Sequence, residues 1–215
     1  MGTRAGAPAE RTPNTVRRAR TRAAILDAAE TRMVEYGLTA TTIDSVAPMA
    51  GVSKGAVYFH FSSKEDLLLA ILERSRRTVF DPALAILEDA SCTPTERLVG
   101  YFNGIGSLQQ LNRYLVPVLA AVQGAGVPPD ARQHISDLRA GIHSSLVDTI
   151  AAGQSSGEFT SAVGQRELAT LTMGLMDGLL LQWYRSSDTV DGPQLLRAGR
   201  HALFGALAGG RPHTR

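Results

Sequence analysis

The residues best suited to chemistry gather in one short segment, AGVSKGAVYFHF, which runs from Ala50 to Phe61. The chain has 22 basic residues, yet only two are lysines: Lys54 lies inside the segment and Lys64 follows it closely. An ammonium group on a long side chain is a good phosphate ligand, and the Tyr58 hydroxyl and the His60 ring can also donate to phosphate oxygens. The segment therefore indicates contact with a polyanion.

Two short helices joined by a tight turn would position these groups. Thr41 or Thr42 is suited to cap the first of them, and Gly51 can adopt the backbone conformation that the turn needs. Ser53 is suited to cap the second helix, which ends near His60. This pattern predicts a helix-turn-helix.

A helical wheel separates the two faces of the second short helix. Val57 and Phe61 fall on one side, which we expect to be buried, whereas Tyr58 and Phe59 point outward together with Gly55 and Ala56. Exposed apolar groups such as Ala56 and Phe59 can contact thymine methyl groups in a DNA groove. Lys64 lies in the first turn of the next helix, where free backbone N–H groups also favour a phosphate.

The run TTIDSVAPMAGVSKGAVYFHFSSKEDLLLAIL, from Thr41 to Leu72, resembles the DNA-binding domain of the tetracycline-repressor (TetR) family of transcriptional regulators. The resemblance implies a homodimer that binds a palindromic operator, usually as a repressor, and that a small apolar or amphipathic molecule releases. Pro48 departs from it and predicts a tightened or kinked end of the first of these two short helices. We expect DNA contacts from Arg17, Arg18, Arg20, Thr42, Ser53, Lys54, Gly55, Ala56, Tyr58, Phe59, His60 and Lys64.

Charge is unevenly divided along the chain. Residues 1–80 hold 12 Arg and Lys against 8 Asp and Glu, whereas residues 81–215 hold 10 against 12. We interpret residues 1–17 as a disordered basic arm that leads into the Arg17–Arg22 cluster, which could follow a DNA groove or only solubilise the chain. Residues 18–70 would form the helix-turn-helix domain, and 71–215 a ligand-binding and dimerisation domain.

The fold class predicted is all-α, with about nine helices. Apolar periodicity and capping residues place the first helix at 18–36, and Asp81-Pro82 should kink or end the fourth. Thr93-Pro94-Thr95-Glu96 is a strong helix start. The later helices are expected at 94–109, 112–123, 130–154, 165–185 and 192–208.

The second half resembles the same family more loosely, through GEFT at 157–160 and MDGLLLQWY at 176–184. Gly174 and Gly178 suit close helix packing in a dimer. In the family, polar and aromatic residues on such helices line a ligand pocket, although plain core packing explains any one of them about equally well. The candidates are Tyr101, Phe102, Asn103, Arg113, Tyr114, Gln123, His143, Met173, Met176 and Asp177.

The sequence offers no catalytic motif, no cofactor motif and no metal-ligand cluster. The single cysteine permits no internal disulfide, and no apolar run is long enough to span a membrane, so we expect a cytoplasmic protein. Two other classes stay open: an architectural DNA-binding protein without a ligand, and an all-α enzyme or carrier with an incidental basic arm.

Overall fold

The computed structural model describes residues 14–104, 108–123 and 127–208, with only the backbone described at 108–110 and 121–123. This part of the chain contains no strand, which confirms the all-α class. Its ten α-helices, with one π-helical turn at Arg76–Phe80, are α1 Asn14–Tyr36, α2 Ile43–Met49, α3 Lys54–His60, α4 Lys64–Ser75, α5 Asp81–Glu88, α6 Pro94–Asn103, α7 Leu108–Gln123, α8 Pro129–Ser156, α9 Gln165–Arg185 and α10 Gly192–Leu207.

The first helix starts earlier than predicted. Because α1 begins at Asn14, residues 14–17 are helical, so Arg17 lies on the same helix as Arg18 and Arg20 rather than in the arm. Residues 1–13 of the predicted arm lie outside the described residues.

The fourth predicted helix does not end at Asp81-Pro82. It passes through the π-helical turn into α5, so that α4, the turn and α5 follow one another without a loop. Pro82 stands in the first turn of α5, a position that tolerates the missing N–H. Arg76 braces the turn, since its guanidinium donates to Glu73 and to Asp81 at 2.7–2.9 Å. We call α4, the π-helical turn and α5 together one helical rod. Counted in this way, the described residues form nine helical segments, in agreement with the predicted number of about nine.

Smaller differences concern the helix ends of the second half. Helix α6 stops at Asn103 rather than near 109, whereas α7 and α8 start earlier than predicted and α8 ends later. The left-handed Gly157, with φ of +80°, ends α8.

Two apolar cores support the fold. The first joins α1–α4 and includes Ile25, Val57 and Phe61, but it also takes in Val116 from α7 and Ile135 from α8. The second core is built from α5 to α10 and the π-helical turn. Helices α7 and α8 therefore contribute side chains to the core beneath the helix-turn-helix.

Candidate nucleic-acid interface and effector cavity

Capping interactions set the turn between α2 and α3. The Thr42 hydroxyl accepts a hydrogen bond from the Ser45 N–H at 3.2 Å, and the Ser53 hydroxyl accepts one from the Ala56 N–H at 3.1 Å. Both hydroxyl groups thus act as caps, and each retains its own O–H for a further partner.

Helix α2 ends in a Schellman motif around Gly51, whose φ is +66°. The Gly51 N–H donates to the Pro48 carbonyl and the Val52 N–H donates to the Ala47 carbonyl, both at 3.1 Å. Pro48 thus lies in the turn where the expected tightening occurs, and its carbonyl closes the motif.

Helix α3 presents an aromatic surface to solvent. Tyr58 is 49% exposed and Phe59 is 65% exposed, whereas Val57 and Phe61 are buried, as the helical wheel predicted. Ala56 is only half-buried, and a side chain added at Gly55 would meet little but the Ser53 hydroxyl. An exposed aromatic pair on a seven-residue helix costs solvation free energy in an isolated protein, so it indicates a surface that binds a partner.

Helix α1 brings two arginines to the end of this surface. The Arg18 guanidinium carbon lies 4.8 Å from the Phe59 ring centroid, and that of Arg22 lies 5.1 Å from the Phe61 ring centroid. Burial lowers the pKa of His60, and the charges of Arg18 and Arg22 lower it further. His60 is therefore a neutral hydrogen-bonding group at neutral pH. Arg22 belongs to the Arg17–Arg22 cluster that was interpreted as following a DNA groove, and its spacing of four residues from Arg18 places the two on one face of α1.

The remaining predicted α1 contacts, Arg17 and Arg20, are exposed. Their spacing places Arg20 across the helix from Arg18, and Arg17 about 100° away from it. Arg18 and Arg22 are thus the arginines of this cluster that adjoin α3.

The two lysines have different environments. Lys54 pairs with Asp44 at 2.6 Å, and both side chains are more than half exposed. Lys64, by contrast, donates to the backbone carbonyls of Leu38 and Thr39, which follow the end of α1. Burial lowers its pKa. Lys54 is thus free to exchange partners, whereas Lys64 fastens the start of α4 to the end of α1.

A cavity of about 900 Å³ lies between α8 and α9. Residues on one face of each helix line it, with Ala120 from α7. Helix α9 contributes Arg166, Thr170, Met173, Gly174 and Asp177, and α8 contributes Arg132, Ser136, Arg139, Ala140, His143 and Val147 among others.

Two polar links cross the cavity. The Arg139 guanidinium donates to the Asp177 carboxylate at 2.7 Å, and the His143 ring lies 3.1 Å from the Thr170 hydroxyl. Asp177 also accepts a hydrogen bond from the Tyr114 hydroxyl at 2.8 Å. Burial raises the pKa of Tyr114 well above its usual value, so its hydroxyl keeps its proton and remains a donor. The Tyr114 ring stacks on Phe80 of the π-helical turn, with 5.6 Å between centroids.

Few of the predicted pocket residues line this cavity. His143, Met173 and Asp177 do, and Tyr114 reaches it only through Asp177. Tyr101, Phe102 and Met176 are buried in the second core. The Asn103 side chain accepts a hydrogen bond from Arg200, Arg113 faces α1, and the side chain of Gln123 lies outside the described residues.

The sequence interpretation missed the cavity's arginines. Arg132, Ser136, Arg139 and His143 recur at intervals of four, three and four residues, which places them on one face of α8. The sequence shows this periodicity, but it does not show that this face of α8 lies against α9.

A charged cluster joins α1 to α4 and α7. The Arg74 guanidinium donates to Glu30 at 2.9 Å and to Asp27 at 2.8 Å, and Arg113 lies 3.4 Å from Asp27 and 3.6 Å from Glu30. Glu30 is only 1% exposed, and its burial raises its pKa to about 7 against the opposing effect of Arg74. Two neighbouring residues of α7 therefore serve different sites. Arg113 pairs with this cluster, and Tyr114 donates to Asp177, which lines the cavity.

Comparison with known proteins gives two family matches. Residues 25–71 match the family described as bacterial regulatory proteins, tetR family, and residues 94–208 match the BetI-type transcriptional repressor C-terminal family. The second match alone covers more than half of the chain. The chain belongs to the TetR family.

Full-length relatives agree with this membership. The TetR-family chain is 28% identical over 179 residues to the HTH-type transcriptional regulator TtgR of Pseudomonas putida, covering 80% of this chain and 83% of the relative. It is 26% identical to the repressor BepR of Brucella suis, covering 80% and 85%. The crystal structure of the MbdR regulator from Azoarcus sp. CIB superposes with a TM-score of 0.77 at 29% identity, covering 87% of this chain and 98% of that one.

The protein is therefore a DNA-binding transcriptional repressor, and its family is one of regulators rather than enzymes. Within the described residues, no helix is both long and apolar enough to cross a bilayer. The same residues contain no group of three His, Cys, Asp or Glu side chains that could hold a metal ion.

Proposed function

We propose that this repressor binds its operator through the outer face of α3 and the adjoining face of α1. The observation that carries the proposal is the exposed pair Tyr58 and Phe59, which Lys54 and Arg18 flank. Arginine and lysine would hold phosphates, while the aromatic face would enter the major groove and contact base edges and thymine methyl groups.

Other predicted contacts take secondary places in this proposal. Thr42 and Ser53 cap their helices and can still offer O–H groups to phosphates, and Gly55 and Ala56 allow the backbone of α3 to approach the groove closely. Arg17 and Arg20 contact DNA only if it wraps around α1. Lys64 acts mainly as a tether, because Leu38 and Thr39 already accept its hydrogen bonds.

The protein acts as a homodimer in this proposal, with the dimer interface on α9 and α10. A side chain added at Gly174, Gly178 or Gly205 would meet nothing within 4 Å, and Leu171 beside them is exposed. A second copy would cover these small residues with closely packed helices. The twofold axis would place two α3 helices in successive major grooves of a palindrome, about 34 Å apart.

The effector would occupy the cavity between α8 and α9. Its arrival would disturb the Arg139–Asp177 pair, and Asp177 is linked through Tyr114 to Phe80 in the helical rod that begins with α4. A shift of that rod changes the spacing of the two α3 helices and so the fit to half-sites. The functional division thus falls near residue 70, inside α4, with residues 18–70 for DNA and 71–215 for ligand and dimerisation. We assign the protein to the bacterial cytoplasm, where the operator lies.

A DNA-binding experiment with a matched pair of variants tests the proposed surface. Phe59→Ala should weaken binding to the region upstream of the protein's own gene by about tenfold or more, because base contacts each contribute about 1–3 kcal/mol. Val163→Ala removes an exposed apolar group from the loop after α8 and should leave the affinity unchanged. Mobility shift gives both affinities. Equal affinity of Phe59→Ala and wild type, or a footprint without a palindrome, would contradict the proposal.

A further inference from the structure

The cavity between α8 and α9 carries more positive than negative charge. Three arginines line it, Arg132, Arg139 and Arg166, against two aspartates. Asp177 is already engaged by Arg139 and Tyr114. Among the described residues, no carboxylate oxygen lies within 4 Å of the guanidinium of Arg132 or of Arg166. The cavity therefore has cationic groups beyond those that its own acids neutralise.

Arg139 has one nitrogen turned to Asp177 and one without a partner. Its Nη2 donates to Asp177, whereas Nη1 is buried and makes no hydrogen bond within the part of the chain that the structure describes. A buried N–H of a charged group without an acceptor costs free energy, and an incoming anion would relieve that cost.

Arg132, Ser136 and Arg139 form a row of donors on α8. Their spacing of four and then three residues places them on one face over about 10 Å, since each helical residue rises about 1.5 Å. Guanidinium groups match carboxylate and phosphate oxygens in geometry as well as in charge. The Ser136 hydroxyl between them can donate a further hydrogen bond.

The remainder of the lining is suited to an apolar body. Ile135, Ala140, Val147 and Met173 offer aliphatic or thioether contacts, and Gly174 leaves room beside them. The volume of about 900 Å³ lies within the range of cavities that hold small organic ligands.

We propose that the effector is an amphipathic anion, whose carboxylate or phosphate group binds Arg132 and Arg139 while its apolar body lies along Ile135, Val147 and Met173. This rests on the proposed function, which makes the cavity the effector site. The anionic group competes with Asp177 for the Arg139 guanidinium, and Arg139 must turn for its buried Nη1 to reach that acceptor. Binding of the effector's anionic group therefore also loosens the hydrogen bond between Asp177 and Tyr114.

Calorimetric titration of the full-length protein with three ten-carbon probes tests the proposal. Decanoate carries a carboxylate, decyl phosphate carries a phosphate, and decanamide is neutral with the same apolar chain. At constant ionic strength and below micelle-forming concentrations, at least one anion should bind about tenfold or more tightly than decanamide, a difference of about 1.4 kcal/mol. The anion that binds more tightly identifies the head group.

Variants locate the anion within the cavity. Arg132→Ala should weaken binding of the preferred anion by about tenfold, and Arg132→Glu by more, because it adds a like charge. Arg185→Ala removes an exposed arginine from the end of α9, away from the cavity lining, and should have no effect. Sedimentation of the same samples should show one oligomeric state for all variants.

Four results would overturn the proposal: equal binding of decanamide and both anions, no binding of either anion at millimolar concentration, unchanged anion affinity in Arg132→Ala, or loss of the dimer in Arg132→Ala with unchanged anion affinity. The last result would assign Arg132 to the subunit interface. The proposed function is tested separately, because its failure would appear as a wild-type protein that does not bind the operator. A wild type that binds operator and is released by a neutral compound keeps the proposed function and loses the anionic effector.

Discussion

Individual residues of the helix-turn-helix differ in whether their charge is free to reach DNA. Lys54 is exposed and pairs with an exposed Asp44, so a phosphate can replace that partner at little cost. Lys64 has its hydrogen bonds committed to two carbonyls at the end of α1. The chain's two lysines therefore support the interface in different ways, one by contact and one by position.

Salt dependence distinguishes the two roles. Lys54→Ala should weaken binding to all DNA sequences and reduce the slope of log affinity against log salt by about one, because one fewer phosphate is neutralised. Lys64→Ala should lower the free energy of unfolding by about 1–2 kcal/mol and leave the slope unchanged. Anisotropy titrations at several salt concentrations and thermal melts measure the two quantities. A slope reduced equally in both variants would show that Lys64 leaves its carbonyls for a phosphate.

Glu30 predicts a pH dependence of stability. Its pKa is raised to about 7 in the folded protein from the model-peptide value of 4.5. The folded state thus holds the proton more tightly, so this residue's contribution is greatest below about pH 4.5 and declines as pH rises to about 7, by up to about 3 kcal/mol. Glu30→Gln should remove that decline in urea denaturation series, whereas Glu35→Gln, an exposed residue of the same helix, should retain it. If Glu30→Gln shows the same decline in stability as the wild type, the decline comes from other groups.

Local elements were predictable from the sequence where local chemistry determines them. Gly51, Ser53 and the period of Val57 and Phe61 predicted the turn and the buried face of α3, because turn and cap geometry depend on neighbouring residues. The start of α1 was placed four residues too late because residues 14–17 hold one apolar side chain and so show no apolar stripe. Asp81-Pro82 was expected to kink or end the fourth helix, but a proline in the first turn of α5 does not end the helical rod.

Tertiary pairings were not predictable in the same way. The tether from Lys64 reaches Leu38, 26 residues away, and the cavity arises where one face of α8 meets one face of α9. Sequence patterns show that each helix has an apolar stripe, but they do not show which polar faces meet. This is why only three of the ten predicted pocket residues line the cavity, while the cavity's arginines were missed.

Helix α7 connects the cavity to the DNA-binding half. Tyr114 contacts Asp177 and stacks on Phe80 in the π-helical turn, while the adjacent Arg113 pairs with Asp27 and Glu30 of α1. A small displacement of α7 would therefore act on α1 and on the rod that starts with α4. Packed helices of this kind move between discrete arrangements rather than deforming continuously.

A conservative change at Tyr114 tests this connection. Tyr114→Phe removes the hydroxyl but keeps the ring that stacks on Phe80, so operator affinity without effector should be close to wild type. The factor by which an effector weakens operator binding should fall, because Asp177 no longer transmits its displacement to α7. Tyr184→Phe, at a half-buried tyrosine of α9 outside the cavity lining, is the control. Mobility shifts with and without effector give the factor, and an unchanged factor in Tyr114→Phe would exclude this link.

The whole molecule is larger than DNA binding requires. Helices α1–α4 occupy about the first third of the chain, and α9 and α10 carry exposed glycines that suit the proposed dimer interface. Helices α7 and α8 line the cavity together with α9, and both contribute side chains to the core beneath the helix-turn-helix. In the proposed mechanism, this arrangement links effector binding to operator binding through one change in the spacing of the α3 helices.

Linkage requires that each equilibrium affect the other by the same factor. An effector that weakens operator binding tenfold must itself bind about tenfold more weakly to the operator complex, which corresponds to about 1.4 kcal/mol of coupling free energy. The most direct test is to find an effector by thermal-shift screening and to titrate it by calorimetry into the free dimer and into the dimer saturated with operator. The account predicts weaker binding to the operator complex by the factor seen in mobility shifts. Equal effector affinities in the two titrations would contradict it.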